Sequence, residues 1–589
     1  MASFQAILTD IFGAAFAHCG FERRFGQVVI SQRPDLCQFQ CNGALAVSKA
    51  ARQNPREIAA RVVDTVGSRE ELSHMSIAGP GFININLAPS FLAAHLRDVA
   101  RDPRCGTPAG VIPGKVVIDY GGPNVAKPMH VGHLRNAIIG QCFSNLFGFL
   151  GSPVVSDNHL GDWGTQMGML ICALAEMHPE LPYFDAGSRG PYPGQPPVSI
   201  EELEAIYPEA NRRCKADPEA MARAQKATVE LQNGRPGYVA LWKYFVDVSV
   251  ERLKADFEKL GVAFDRWLGE SFYQKRMEDL VARLKKQGLA KESEGALVLP
   301  VSRDGDTREI PPLMLMKSDG AFLYGTSDLA TLEFRMQEFN PSEIIYVVDI
   351  RQSLHFEQVF RAARRAGIVP ESVRLEHAGF GTVNGPDGRP FKTREGDVMQ
   401  LGDLLDMVYA RAYERMVEAG VAQDRPEDEK RDIARKVGLA ALRFADLQNH
   451  RTSDYVFDIE KFLQFEGKTG PYLLYSAVRI KSILRNAAEK RLSPGEIAAP
   501  QSDAEQNLML ALGHLPASVR TAADTLAPNV LCDWAYGLAQ QFNRFYRDCH
   551  VLREKDARRQ GSWLALIRLA LDELTLALGL LGMEIPDRM

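Results

Sequence analysis

The chain has 589 residues, which is too long for a single hydrophobic core and predicts three or four domains. Apolar residues make up 46% and charged residues 24%, as in ordinary globular proteins, and no run of about 20 apolar residues predicts a membrane span. The net charge of −5 excludes a globally basic nucleic-acid-binding protein, so any surface for nucleic acid must be local.

The N-terminus and the cysteines predict where the protein works. The first sixteen residues include Asp10 and no basic segment, which argues against a secretion signal. The nine cysteines are scattered, and only Cys37 and Cys41 lie close together. This pattern predicts free thiols rather than a disulfide or zinc framework, and therefore a cytoplasmic protein.

Residues 1–108 predict a small α+β domain. Phe4, Leu8 and Phe12 follow helical spacing, and Asn54 followed by Pro55 is typical of the start of a second helix. Residues 82–87 alternate between apolar and polar, as in a half-buried strand. The segment 101–108 predicts a linker to the next domain.

The most informative stretch is residues 116–136, VVIDYGGPNVAKPMHVGHLRN. It predicts a buried parallel strand, then a loop at Gly121 and Gly122, then a helix from about Met129. Such a strand, loop and helix start form the usual phosphate site of a doubly wound α/β fold, because backbone N–H groups and the positive helix end point there. His130 and His133 can face one pocket, and Gly132 leaves room for a ligand.

HVGH resembles the HIGH signature of class I aminoacyl-tRNA synthetases, and the longer string at 123–135, PNVAKPMHVGHLR, resembles arginyl-tRNA synthetases in particular. HxGH alone is a weak signal, whereas the thirteen-residue string is specific. Two other readings of His130 and His133 are a metal pair and histidines without a role. A metal would require a third ligand of suitable spacing, which does not follow nearby.

Other strings resemble the same family. CNGALAVSKA, NPREIA and IAGPGFININL are similar to its added N-terminal domain, which implies a contact with the outer corner of tRNA. DNHLGDWGTQ, from Asp157, is also similar to the family. A loop rich in Pro and Gly at about 178–200 leads into helical segments, which we interpret as the connective insertion of this class, at about 170–310.

The resemblance implies an arginine pocket. Tyr324 and Asp328 are four residues apart, so they share a face if a helix begins there. They match the family's arginine-binding tyrosine and aspartate, and Asp119 matches a further acidic position. Carboxylates are suited to a planar, always charged guanidinium. A pair without a ligand remains the alternative for Tyr324 and Asp328.

Two further contacts to arginine are implied by the same resemblance. Asn124 is expected to hold the α-amino or carboxylate end of arginine. A buried strand at 344–349 delivers Gln352 and His355, and Gln352 is the better candidate for arginine binding.

The second class I signature, Lys-Met-Ser-Lys-Ser, is absent, and residues 385–396 read GPDGRPFKTREG in its place. Many arginyl-tRNA synthetases depart in the same way and carry a lysine before the first signature, which here is Lys127. A cation is needed near the leaving pyrophosphate, whichever loop supplies it. The resemblance therefore implies Lys127, His130 and His133 as catalytic residues. They are expected to bind ATP together with Gly132, Lys392 and Arg394, although a solvated loop is the alternative for the last two.

From about 405 the pattern is helical. Residues 438–447 and 450–458 resemble the family's stem-contact region and the start of its all-helical anticodon domain. A helix with Arg479, Lys481 and Arg485 and the aromatic residues near Tyr546 suit stacking on anticodon bases. From the residues alone, a helical core with a solvated face is the stronger reading, and the resemblance reverses that preference.

The expected architecture is a Rossmann-type doubly wound catalytic domain with a helical insertion, an N-terminal α+β domain and a C-terminal all-α anticodon-binding domain. The expected boundaries are 1–108, 112–405, 406–450 for the stem-contact region and 451–589. The implied reaction is the two-step, ATP-dependent ligation of L-arginine to tRNA(Arg), with Mg²⁺ entering with ATP, no tightly bound metal, no membrane and a monomeric enzyme. The alternatives are a class I synthetase for another amino acid and a non-catalytic tRNA-binding paralogue.

Overall fold

The structure is a computed structural model that describes residues 2–110, 114–195, 197–318, 320–385, 387–389 and 399–589. The described chain divides into two compact units. Met1–Val111, Ala412–Gln448 and Glu460–Met589 form the first, and Ile112–Arg411 and Asn449–Ile459 form the second.

The N-terminal part of the first unit is an α+β domain. Its helices are α1 (Phe4–His18), α2 (Gly43–Ala51), α3 (Pro55–Val66) and α4 (Pro89–Arg101), and its strands are β1 (Val28–Ile30), β2 (Phe39–Cys41), β3 (Leu72–Ala78) and β4 (Phe82–Leu87). The antiparallel sheet has the order β1-β2-β4-β3. Asn54 caps α3 as expected, since its side chain accepts a hydrogen bond from the Arg56 N–H.

The second unit contains the parallel sheet predicted from residues 116–119. Its strands are β5 (Val116–Asp119), β6 (Val154–Leu160), β7 (Arg266–Gly269), β8 (Lys291–Ser293), β9 (Ala296–Leu299), β10 (Leu313–Met316), β11 (Glu343–Tyr346), β12 (Arg374–His377), β13 (Val383–Asn384) and β14 (Tyr455–Val456). Five strands form one parallel sheet in the order β12-β11-β5-β6-β7. β5 is central, and all four of its residues are buried.

Helices cover this sheet and form the insertion. They are α5 (Gly132–Phe149), α6 (Thr165–Met177), α7 (Ile200–Ala216), α8 (Pro218–Gln232), α9 (Pro236–Lys259), α10 (Gln274–Lys286), α11 (Tyr324–Phe339) and α12 (Ser353–Arg365). A further helix, α13 (Leu401–Glu418), begins in the second unit and ends in the first. β7 lies inside the range 170–310 expected for the insertion, yet it pairs with β6 in the main sheet. Its four residues, RWLG, are too short to show a strand periodicity, so sequence pattern did not identify it.

The rest of the first unit is helical, as predicted from the C-terminal sequence. Its helices are α14 (Glu427–Leu447), α15 (Ile459–Phe462), α16 (Gly470–Glu489), α17 (Asp503–Leu512), α18 (Leu515–Asp524), α19 (Asn529–Asp548) and α20 (Ala557–Leu580). Within the described residues, no helix has the length and apolar character needed to span a bilayer. The architecture is therefore the predicted one: a parallel α/β sheet, an N-terminal α+β domain and a helical C-terminal domain.

Glu573 on α20 is a buried acid in this helical part. Its side chain is 0% exposed, and neither carboxyl oxygen has a hydrogen-bond partner within the described chain. Burial, and to a lesser degree the charge of Asp572, raises the pKa of Glu573 well above its ordinary value. The folded protein therefore holds Glu573 protonated at pH values where the unfolded chain ionises it, and stability falls as pH rises above about 4.3, the ordinary pKa of glutamate.

We expect Glu573→Gln to raise the melting temperature, and to raise it more at pH 8 than at pH 5, because glutamine mimics the protonated acid at every pH. Each unit of pKa shift corresponds to about 1.4 kcal/mol of this effect. Thermal unfolding followed by circular dichroism at both pH values measures it. Glu489→Gln, an exposed acid on α16, is the matched control. Equal shifts at pH 5 and pH 8 would contradict the buried, protonated state of Glu573.

Candidate active site

The candidate site lies at the carboxyl edge of the parallel sheet. β5, β6, β7 and β11 all end there, and the register places Asp119 at the end of β5 beside Asp157 on β6 and Tyr346 on β11. Ligands of open α/β sheets bind at this edge, because the loops that follow the strands converge there.

The loop after β5 requires glycine. Gly121 and Gly122 have φ of +93° and +59°, a region that residues with a side chain rarely adopt. A Cβ on Gly121 would lie 3.0 Å from the Asn158 side chain. The Gly121 N–H donates to the Asn136 amide oxygen, and the Gly122 N–H donates to that of Asn158 at 3.0 Å. The loop is thus fixed by amides of α5 and β6.

The two signature histidines lie together. Their ring centroids are 4.2 Å apart, and the His130 backbone N–H donates to His133 Nδ1 at 3.1 Å. The helix α5 begins at Gly132 rather than near Met129 as predicted. His130 is instead in extended backbone, in an antiparallel bridge with Gln400. This bridge, which sequence periodicity does not show, takes His130 out of the helix.

Both histidines are neutral at neutral pH. Burial, followed by the charge of Lys127, lowers the pKa of His130. Burial and the neighbouring His130 lower the pKa of His133 to about 3. Lys127 acts on both rings, so the structure brings Lys127, His130 and His133 together. Their imidazoles can donate hydrogen bonds to an anion without themselves carrying charge.

Gly132 leaves space for a ring of the protein itself. A Cβ at this position would lie 2.7 Å from His130 Cε1 and 2.8 Å from its Nδ1. The Gly132 N–H also donates to His130 Nδ1 at 3.0 Å. Glycine therefore gives the His130 ring the space it occupies against the start of α5, and the room for a ligand expected from the sequence stays a prediction.

Asn124 is exposed and lies against the loop after β6. It forms a parallel bridge with Gly161, where a Cβ would lie 2.0 Å from the Asn124 amide oxygen. The Val125 N–H donates to the Gly161 carbonyl at 3.0 Å. The loops after β5 and β6 are therefore held together at the site.

Asp119 is paired with a cation of the protein. Arg335 of α11 donates to Asp119 and to Asp157. Burial raises the pKa of Asp119, and the charge of Arg335 opposes that shift. The sequence analysis did not identify Arg335, because a lone arginine in a helix is usually exposed.

Tyr324 and Asp328 belong to α11, as the spacing required. Tyr324 begins the helix and is 72% exposed. One oxygen of Asp328 lies 2.6 Å from His355 Nε2, and this hydrogen bond raises the pKa of His355. His355 therefore contacts the pocket through Asp328.

Glu270 is an acid of the site that the sequence analysis missed. It follows β7, and burial raises its pKa to about 7, with His159 opposing and Asp162 and Asp328 reinforcing the shift. The charge of Glu270 also acts on Tyr324. A cleft of about 430 Å³ has both of these side chains in its lining. Recognising β7 as a sheet strand would have indicated Glu270, because strand ends carry the site.

Asp162 fixes the turn that carries Glu270. Its two carboxylate oxygens accept hydrogen bonds from the Ser271 N–H at 2.9 Å and hydroxyl at 2.6 Å. A Cβ on Gly269 would lie 2.2 Å from the same carboxylate. The close approach of the loops after β6 and β7 thus depends on Asp162 and Gly269.

Three predicted residues lie apart from these contacts or outside the described chain. Gln352 ends a short 3₁₀ turn, Ile350–Gln352, before α12 and is exposed. Lys392 and Arg394 lie outside the described residues. In the described ranges, no cluster of three or more His, Cys, Asp or Glu side chains is arranged to hold a metal ion.

Three family models match the chain. The model described as tRNA synthetases class I (R), catalytic domain, matches residues 107–459. The DALR anticodon binding domain matches 473–589, and the arginyl tRNA synthetase N terminal domain matches 3–87.

Relatives match over the whole length. The arginine–tRNA ligase of Maricaulis maris is 50% identical to this chain, and the match covers 100% of each of the two chains. That of Alkaliphilus oremlandii is 47% identical over 98% of this chain and 97% of the relative. In fold, the chain is similar to the crystal structure of arginyl-tRNA synthetase from Plasmodium falciparum, with a TM-score of 0.82, 24% identity and 100% of both chains covered. The chain belongs to the arginyl-tRNA synthetase family of class I aminoacyl-tRNA synthetases.

Proposed function

We propose that this chain ligates L-arginine to tRNA(Arg) through arginyl-adenylate, with the residues at the sheet edge in the roles below. The observation that carries the choice of arginine is the set of acids at that edge. The charge of Asp328 acts on Glu270 and that of Glu270 acts on Tyr324, while His159 acts on both Glu270 and Asp119. A guanidinium is matched by carboxylates in a fork, whereas the ammonium of lysine, a point charge, satisfies fewer of them.

The first step joins arginine to ATP. A carboxylate oxygen of arginine attacks the α-phosphorus, and the bond from that phosphorus to the pyrophosphate oxygen breaks. His130 and His133 donate hydrogen bonds to the α-phosphate as charge develops on it, and Lys127 faces the departing pyrophosphate. The second step transfers the arginyl group to a ribose hydroxyl of the terminal adenosine, with release of AMP.

The remaining predicted residues position the two substrates. Asn124 holds the α-amino or carboxylate end of arginine, and Gln352 completes the same pocket. Gly132 allows the His130 ring to face the phosphate, since a Cβ there would displace it. Lys392 and Arg394, outside the described residues, are assigned to ATP phosphates in place of the missing second signature. Catalysis in this scheme is positioning and charge stabilisation, without a protein nucleophile.

We further propose that Mg²⁺ enters with ATP, bound mainly by phosphate oxygens, as is usual for this ion. The free cysteines suit a reducing compartment, and we propose that the protein is cytoplasmic and monomeric. The segment 1–108 is assigned to the outer corner of tRNA, 112–405 with the insertion at 170–310 to catalysis, 406–450 to the stem contact and 451–589 to the anticodon.

ATP–pyrophosphate exchange with each amino acid, run with and without total tRNA, tests the function. We expect exchange with arginine only. We expect it only when tRNA is present, because the resemblance to the family implies that bound tRNA is needed for the first step. Exchange with another amino acid would support a class I synthetase but contradict the assignment of the arginine pocket. Absence of exchange by folded protein in all conditions would favour a tRNA-binding paralogue.

Gly132→Ala is expected to lower the rate of exchange at least tenfold, because the new Cβ displaces the His130 ring. Gly148→Ala on the same helix is the matched control, since a Cβ there meets no atom within 4 Å. We expect its rate to stay within twofold of wild type. Similar losses in both variants would indicate an effect on α5 stability instead of on the ring.

Asp328→Asn is expected to raise the KM for arginine by at least 100-fold, with the KM for ATP within twofold of wild type. The reason is that a neutral amide cannot form a charged pair with the guanidinium. Glu338→Gln, an exposed acid later on α11, is the control and should change neither constant. Unchanged arginine kinetics in Asp328→Asn would remove Asp328 from the pocket.

A further inference from the structure

The protein holds a guanidinium of its own behind the proposed arginine pocket. The Arg335 side chain is 0% exposed, and it extends from α11 to the end of β5 and the middle of β6. Its Nε and Nη2 donate to Asp157 Oδ2 at 3.2 and 2.8 Å, and Nη2 also donates to Asp119 Oδ2. One cation is thus shared by two carboxylates.

The two carboxylates differ in what they can reach. The Asp157 side chain is 0% exposed, whereas that of Asp119 is 12% exposed. Asp157 Oδ1 has no hydrogen-bond partner in the described chain, and neither has Arg335 Nη1. The cluster therefore presents a carboxylate to the site only through Asp119, while Asp157 stays behind it.

We propose that Arg335 is a positioning residue that fixes the Asp119 carboxylate for the guanidinium of bound arginine, with Asp157 as its buried counter-charge. The proposal rests on the proposed function, in which Asp119 binds arginine. Arg335 occupies one oxygen of Asp119, so the other oxygen can be directed toward the substrate. The two aspartates and one arginine leave one negative charge, which matches the one positive charge of the substrate guanidinium.

Electrostatics gives the reason why a cation is required here. A carboxyl group buried in apolar surroundings favours its neutral form, and a neutral acid cannot form a charged pair with a guanidinium. Arg335 favours the ionised form of Asp119. A planar guanidinium can also bridge two carboxylates, which the single ammonium of lysine does less well.

In the described part of the chain, charged and titratable groups face Asp119 from the elements packed around it. These groups are Asp157 and His159 on β6, Tyr273 before α10, Arg335 on α11 and Tyr346 on β11. Arg335 also lies over the Tyr346 ring, with Cζ 5.2 Å from its centroid. Among these described groups, Arg335 is the fixed cation, so we expect its removal to change the charge of Asp119.

The test is Arg335→Lys, in exchange assays with tRNA present. We expect the KM for arginine at pH 7 to rise at least tenfold and that for ATP to stay within twofold. Lysine keeps a positive charge beside Asp119 but cannot bridge the two carboxylates as the guanidinium does, so we expect the loss to fall on the KM for arginine, with kcat within twofold of wild type. A parallel loss for both substrates, or a lower kcat with an unchanged KM for arginine, would overturn the positioning role and leave a structural one.

Arg283→Lys is the matched control. Arg283 lies on α10 and pairs with Glu333 of α11, the helix that carries Arg335, and its side chain is 40% exposed. Its kinetic constants should remain within twofold of wild type. If Arg335→Lys does not fold, Asp157→Asn tests the proposal instead. Without the Asp157 charge, Arg335 pairs with Asp119 alone and neutralises the carboxylate that the substrate needs. We expect a tenfold or larger rise in the KM for arginine, and an unchanged KM would overturn the proposal.

Asp119→Asn separates this proposal from the function on which it rests. An unchanged KM for arginine in Asp119→Asn would show that Asp119 does not bind the substrate, and both assignments would fail. A raised KM in Asp119→Asn together with unchanged kinetics in Arg335→Lys would retain the pocket and overturn only the role of Arg335.

Discussion

The acidic side chains at the carboxyl edge of the parallel sheet are held by hydrogen-bond donors from other elements of the chain. Asp119 and Asp157 share Arg335, Asp162 accepts two hydrogen bonds from Ser271, and Asp328 pairs with His355. Burial raises the pKa of Asp119 and of Asp162, and their partners Arg335 and Ser271 oppose that shift. The arrangement of these acids therefore depends on residues from several elements.

Glu270 lies at the same edge, and burial raises its pKa to about 7. In the proposed function, the charge of a bound guanidinium favours the ionised form of Glu270, so we expect arginine binding to be accompanied by release of a proton.

The phosphate side of the site is organised differently. His130 and His133 are neutral, and the nearby cation is Lys127 from the loop before α5. In the proposed function, the neutral rings donate hydrogen bonds to the α-phosphate, and Lys127 faces the leaving pyrophosphate. Backbone hydrogen bonds from Val131 to the Met399 carbonyl at 3.1 Å and from Leu401 to the Met129 carbonyl at 2.8 Å tie the signature to the segment before α13.

Local sequence signals determined much of the architecture. The apolar run at 116–118 indicated the central strand, Asn54 and Pro55 indicated the start of α3, and the spacing of Tyr324 and Asp328 indicated α11. These features depend on residues close in the chain, so periodicity and capping chemistry reveal them. The resemblance of residues 123–135 to a family supplied the class of reaction, which periodicity alone did not.

The tertiary structure decided what depends on distant parts of the chain. β7 has four residues and is identified only by pairing with β6, and Glu270 enters the site through it. Arg335 meets Asp119 across 216 positions of sequence, and His130 leaves the helix because Gln400 pairs with its backbone. Local sequence patterns do not predict such contacts between distant residues, because packing and charge pairing in the folded chain stabilise them.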